Sequence, residues 1–152
     1  DNIANIKKNI KYNNLKNVII VTKWAFSKKK TLKFYLHNQD FCNSIFQSEF
    51  KNKNEIKKVV SIKVDTVEHI LKELKIDITK IKFVKLDNEG SEFETLNGMK
   101  NILKSKNLKL LIPDLSPNEI IYNDVLNLVK NQGFILYEEK LPKIQGYKNG
   151  WE

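Results

Sequence analysis

Arginine is absent from this chain: all 27 of its basic residues are lysines. Arginine is the usual bidentate reader of guanine and phosphate. Without it, the net charge of +9 reads as a solvated lysine surface at 28–30 and 57–58, and no nucleic-acid partner is expected. Abundant Asn and Ile beside the lysines fit the codon bias of an AT-rich genome. A single cysteine, Cys42, excludes an internal disulfide and fits a reducing compartment. No apolar run approaches the ~20 residues that span a bilayer, and no signal-peptide pattern is present. A cytoplasmic protein with no membrane span is therefore expected. The five glycines, at 90, 98, 133, 146 and 150, are too dispersed for a dinucleotide fingerprint or a Walker loop. His37 and His69 share no metal-ligand spacing with each other or with the cysteine, so no metal centre is expected. His69 is placed on the exposed face of a helix. No serine has a nucleophile-elbow context.

What is present is enough for one domain, residues 1–152, with 41% hydrophobic and 10% aromatic residues. The chain starts at Asp1, inside an apparent helix, so a longer protein is expected. Asn2 to Leu15 carries Ile3, Ile6 and Ile10 on one face and ends at Asn13-Asn14. Val18 to Val21 is a continuous apolar run of the kind buried on both faces of a parallel sheet. Thr31 to His37 alternates and predicts a half-exposed strand. Residues 38–57 are polar with scattered aromatics and read as an insertion or lid. Residues 140–152, with Pro142, Gly146 and Gly150, read as a loop-like tail.

Beyond residue 58 a pattern repeats. Strands Val59–Val64, Phe83–Leu86 and Leu108–Ile112 each lead to a capping box, in Asp65-Thr66-Val67-Glu68, Ser91-Glu92-Phe93-Glu94 and Ser116-Pro117-Asn118-Glu119. The second opens a helix running from Ser91 to Lys104. The last helix stops at Gly133 and hands over to Phe134–Tyr137. Strands alternating with capped helices predict an α/β fold with a parallel sheet covered by helices on both faces.

The densest chemistry lies at one strand-to-helix turn, Asp87-Asn88-Glu89-Gly90-Ser91-Glu92. Gly90 supplies the sharp turn, and Ser91 with Glu94 supplies the cap. Three carboxylates, Asp87, Glu89 and Glu92, remain at the strand end, where open α/β sheets place their ligand sites. They are the candidate catalytic residues, able to orient a hydroxyl or take its proton. At another strand exit, Lys23-Trp24-Ala25-Phe26-Ser27 offers an aromatic wall for a flat heterocycle. Pro113-Asp114 with Glu138-Glu139-Lys140 imitates the signature of metal-dependent nucleases, but a full helix intervenes.

The phrase from Phe83 to Gly98, with its Asp-x-Glu-Gly-small-Glu core and Leu96-Asn97-Gly98 ending, resembles the most recognisable segment of the FkbM-type methyltransferases. Asp65-Thr66-Val67-Glu68-His69-Ile70-Leu71 resembles the segment that opens the preceding helix there. Val18 to Ser27 resembles the family's third strand and its exit, and Leu110-Leu111-Ile112 matches a later strand. The similarity runs from about Asp1 to Glu139 and covers the C-terminal two thirds of the family's domain. It implies a class I, Rossmann-like fold lacking its first two strands in this chain. It also implies S-adenosylmethionine as cofactor, and methyl transfer to a hydroxyl of a small molecule or sugar. Asp87 would lie beside the methyl-transfer site, and Trp24, Ala25 and Asp87 would bind the cofactor. The glycine-rich loop and the ribose-binding carboxylate would precede Asp1. Asn88 stands where the family usually has an aliphatic residue, and Pro113-Asp114-Leu115 replaces a Glu-x-His. The alternatives are a non-catalytic interaction module of the same fold and the nuclease.

Overall fold

Alternation between apolar and polar side chains makes the long ribbon at the centre of the N-terminal half. In the computed structural model, which describes residues 2–38, 43–47, 52–88, 90–113 and 119–136, helix α1 spans Asn2–Tyr12 and is followed by strands β1 (Trp24–Ala25), β2 (Lys30–His37) and β3 (Ile56–Asp65). β2 and β3 pair antiparallel from Lys30↔Val64 to His37↔Ile56, with an irregularity at Leu36/His37. β1 runs parallel to the other edge of β3, with Ala25 opposite Asp65, so the order is β1-β3-β2. The inner face of this sheet holds a small core of Phe26, Ile45 and Val64, edged by Trp24, Leu32 and Phe34.

The C-terminal half is built differently. Helix α2 (Val67–Glu73) leads to β4 (Phe83–Lys85), α3 (Glu92–Asn97), α4 (Lys100–Leu103), β5 (Lys109–Leu111) and α5 (Glu119–Asn131). β4 and β5 pair parallel, as the crossover through α3 and α4 requires. Leu96, Met99, Ile102 and Leu103 are fully buried against Val125 and Val129 of α5, closing the larger core. Gly133, at φ +84°, ends the α5 region in the left-handed conformation that glycine adopts without strain.

The expected alternation of strands and helices is present, and the fold is mixed α/β. The arrangement differs from one continuous parallel sheet, because the described strands form a mixed three-stranded sheet and a separate parallel pair. Val18–Val21 is not a buried strand. No strand runs beside it among the described residues, and Val18, Ile19 and Val21 are 45%, 60% and 39% exposed. A strand needs a neighbour to satisfy its backbone groups, and the apolar run alone does not provide one. Similarly, α1 ends near Asn13-Asn14 as its sequence indicates, with Asn14 at φ 51°, but none of its residues is buried. Phe134 packs on the larger core, while residues 134–136 form no strand and Ile135 is 78% exposed.

The helix predicted from Ser91 to Lys104 is broken at Gly98-Met99. The break coincides with a close packing contact: a Cβ on Gly98 would lie 2.0 Å from the Phe26 carbonyl oxygen. Only glycine admits the Phe26 backbone there, and the helix ends at the place where the two halves of the molecule touch.

Candidate functional site

The turn after β4 is closed by its own side chains. Gly90 takes φ +90°, and Glu92 Oε1 accepts a hydrogen bond from Asn88 N at 2.9 Å. Ser91 is not the side-chain cap of α3. Its hydroxyl donates to the Asn88 carbonyl at 2.9 Å and accepts from Trp24 Nε1 at 3.0 Å. The cap fails because the hydroxyl has better-placed partners outside the helix. Asn88 Nδ2 donates to Thr95 Oγ1 at 2.8 Å, and Thr95 Oγ1 donates to the Ala25 carbonyl at 2.9 Å.

Two segments chosen separately from the sequence, Trp24-Ala25 and Asp87–Glu92, are therefore bound to each other. The residues that join them, Asn88, Ser91 and Thr95, were not chosen for that role. Asn88 has a polar job: it holds the turn to Thr95 and through it to β1. Trp24 completes an aromatic wall with Phe34, their ring centroids 4.8 Å apart and their planes tilted by 58°. These two rings line an open cleft of about 530 Å³ with Val21, Thr22, Lys23 and Ile62.

The three carboxylates separate. Asp87 is about half exposed and pairs with Lys85 at 2.7 Å. Glu92 is 1% exposed, and among the described residues no donor reaches its Oε2. Glu89 lies outside the described residues, as do Asp114 and Glu138 to Lys140 of the nuclease-like motif and Ser116 of the third capping box.

A second constellation was missed. His69 and Glu73 are one helical turn apart on α2, and Asp65, the last residue of β3, precedes His69 by the same spacing, so the three side chains lie along one face of the helix, from its entry to its end. Thr66, rather than Asp65, caps that helix by accepting from His69 N at 3.1 Å. Glu68 turns away from the expected capping box and binds the Asn101 side-chain amide at 2.8 Å. Asp65 is freed to accept from His69 Nδ1 at 2.9 Å and from Lys23 Nζ at 3.2 Å. Lys23 also reaches Glu73 at 2.6 Å. Burial pushes the Asp65 carboxyl up, but hydrogen bonds from His69, Lys23 and Thr66 N outweigh it and leave the group below its ordinary value. The Glu73 hydrogen bond leads in raising the Lys23 ammonium above its ordinary value. The spacing Asp-x3-His-x3-Glu was legible in the sequence, and only the helix boundary was needed to use it.

Residues 3–136 match the family model described as the Methyltransferase FkbM domain. The chain belongs to the FkbM methyltransferase family. No curated protein and no solved structure matched the chain. Within the FkbM domain, the match spans both the Trp24-Ala25 segment and the Asp87–Glu92 turn. Among the described residues, no helix is long and apolar enough to cross a membrane.

Proposed function

We propose that the chain acts in S-adenosylmethionine-dependent methyl transfer to a hydroxyl of a small molecule or sugar. The observation that carries this reading is the Trp24–Ser91–Asn88–Thr95–Ala25 network, which holds an aromatic wall and a carboxylate-bearing turn together. The cleft beside Trp24 and Phe34 falls within the ~300–1,000 Å³ typical of small-molecule sites. Its lining is mainly apolar, with Lys23 and Lys63 at its edge; the Trp24 and Phe34 rings suit a flat heterocycle, so Trp24, with Ala25 next to it in β1, is assigned to the adenine side. S-adenosylmethionine supplies an electrophilic methyl group when bound. The chain's contribution is to hold the acceptor and the cofactor in register. Asp87, exposed at the end of β4, orients the acceptor hydroxyl and accepts its proton. Glu92 braces the turn from within through Asn88 N, and Glu89 is a second candidate carboxylate on the same loop.

Transfer of labelled methyl from S-adenosylmethionine to hydroxylated acceptors, read beside cofactor affinity by calorimetry, tests this. Trp24→Ala is expected to weaken cofactor binding and Asp87→Asn to reduce transfer while leaving that affinity in place. Unchanged affinity in Trp24→Ala would remove the adenine-side assignment, and undiminished transfer in Asp87→Asn would remove the catalytic one.

A further inference from the structure

The methyl-transfer reading uses none of the Asp65, His69 and Glu73 side chains, although Lys23, which pairs with both carboxylates, also lines the cleft beside Trp24. The ligating atoms of the three residues all lie within 4.8 Å of one another. The carboxylate oxygen of Asp65 is 2.9 Å from His69 Nδ1, and that of Glu73 is 3.8 Å from it. Zinc–ligand bonds of about 2.0–2.2 Å in a tetrahedron place ligand atoms about 3.3 Å apart. The three atoms are therefore already near the spacing a metal needs. The remaining contraction falls to Glu73, which is about half exposed and, among the described residues, held by a hydrogen bond from Lys23 alone, whereas Asp65 is fixed in the protein at 2% side-chain exposure.

The cluster is more than a group of acids. It contains an imidazole, the ligand that favours zinc, cobalt, nickel and copper over magnesium and calcium. A cation already lodges between its carboxylates, namely the Lys23 ammonium, 3.2 Å from Asp65 and 2.6 Å from Glu73. Two carboxylates facing one ammonium leave one negative charge in excess while His69 is neutral. A divalent ion in place of the ammonium would balance both carboxylates and add a bond to the ring nitrogen. Lys23, on a flexible stem and one third exposed, can swing into water once the ion has taken over its two carboxylates.

We propose that Asp65, His69 and Glu73 form a binding site for a divalent transition-metal ion of the zinc type, with Lys23 as the resident cation that the ion displaces. The neutral His69 ring carries its proton on Nε2 in the bound state, leaving Nδ1 as the ligand atom. Water fills the fourth position, the arrangement of three protein ligands and one open site seen at zinc centres that keep a reactive water.

Titration of the purified chain with Co²⁺ and with Zn²⁺, in a Cys42→Ser background that removes the competing thiol, tests the proposal. One cobalt ion per chain is expected, with the visible absorption of a tetrahedral site, displaced by zinc. His69→Ala and Glu73→Gln, both at partly exposed positions, should each weaken binding at least tenfold. Lys23→Ala should tighten it severalfold, because the ion no longer competes with the ammonium. No saturable binding at millimolar cobalt, or binding that His69→Ala leaves intact, would overturn the proposal. Unchanged or weaker affinity in Lys23→Ala would overturn it equally, since lysine and metal are argued to occupy one place.

Discussion

Trp24 and Ser91, 67 positions apart in the chain, meet through an indole N–H to hydroxyl hydrogen bond of 3.0 Å. Ser91 is fully buried, so its hydroxyl cannot turn to water if the indole is removed. Ser91→Ala is expected to cost about 1–3 kcal/mol, the penalty of stranding buried donors and acceptors. Trp24→Phe should cost a comparable amount, and the double variant less than the sum, with a coupling of roughly 0.5–3 kcal/mol. Denaturant unfolding of the four proteins measures it. Strict additivity would mean that the bond does not tie the two segments.

Gly98 makes the complementary prediction by shape. Because the atom that a new Cβ would strike is the Phe26 backbone oxygen at 2.0 Å, no rotamer change can make room. Gly98→Ala is expected to destabilise at or above the top of the ~1–3 kcal/mol range for overpacking. Gly133→Ala is a useful contrast: nothing lies within 4 Å of its would-be Cβ, and only its φ of +84° resists the change, at about 1–2 kcal/mol. Thermal or denaturant melts in which the two variants behave alike would argue against the close approach at Phe26.

Acid stability should depend on Asp65. Its folded carboxyl lies below the ordinary value, so the folded state holds the proton less tightly than the unfolded chain. The resulting stability is present above the unfolded value near 3.9 and is lost as pH falls toward the lower folded value. Asp65→Asn is expected to flatten that acid limb while lowering stability at neutral pH, where Lys23 and His69 would face an uncharged amide. Unfolding free energies measured from about pH 7 down to 2 show whether the wild-type and variant curves converge. Parallel curves would place the acid sensitivity elsewhere.

Asp87 and Lys85 form an ion pair with both side chains about half exposed, and such pairs contribute about 0–1 kcal/mol. Asp87→Asn should therefore leave the melting curve nearly unchanged. If the carboxylate accepts the acceptor's proton, methyl transfer should fall about 10²–10⁴-fold in the same variant. A loss of activity that tracked a loss of stability would assign Asp87 to the fold instead.

The sequence was most readable where local chemistry decides. The strand over residues 31–37, whose alternation holds as far as Phe34, the helix-stopping Asn13-Asn14, the turn at Gly90 and the end at Gly133 all appear at their places. It was least readable where a distant segment decides. Val18–Val21 has the composition of a buried strand, but burial is a property of neighbours and not of the run itself. The Ser91 cap looked complete because Glu94 stands three residues later, yet Trp24 competes for the hydroxyl from across the fold. Gly98 looked like the end of a family motif, and its reason is the Phe26 carbonyl. Within the candidate site, Trp24, Ala25 and Asp87–Glu92 could be chosen in advance. The Asn88–Thr95–Ala25 link could not, because it needs two segments 70 residues apart to be in contact.

The two halves of the molecule have separate apolar cores, one built on Phe26, Ile45 and Val64 and the other on α3, α4 and α5. At the candidate site the seam between them is polar: Trp24 to Ser91, and Thr95 to Ala25, with the Phe26 carbonyl lying over Gly98. Each such hydrogen bond contributes about 0.5–1.5 kcal/mol net, less than the roughly 1.5–3 kcal/mol of burying a large apolar side chain, so the seam couples the halves more weakly than a shared apolar core would. Amide protons on the two sides should then exchange with solvent as two blocks with different opening free energies. The candidate site would sit on the boundary between the blocks, where a bound ligand could make them open as one.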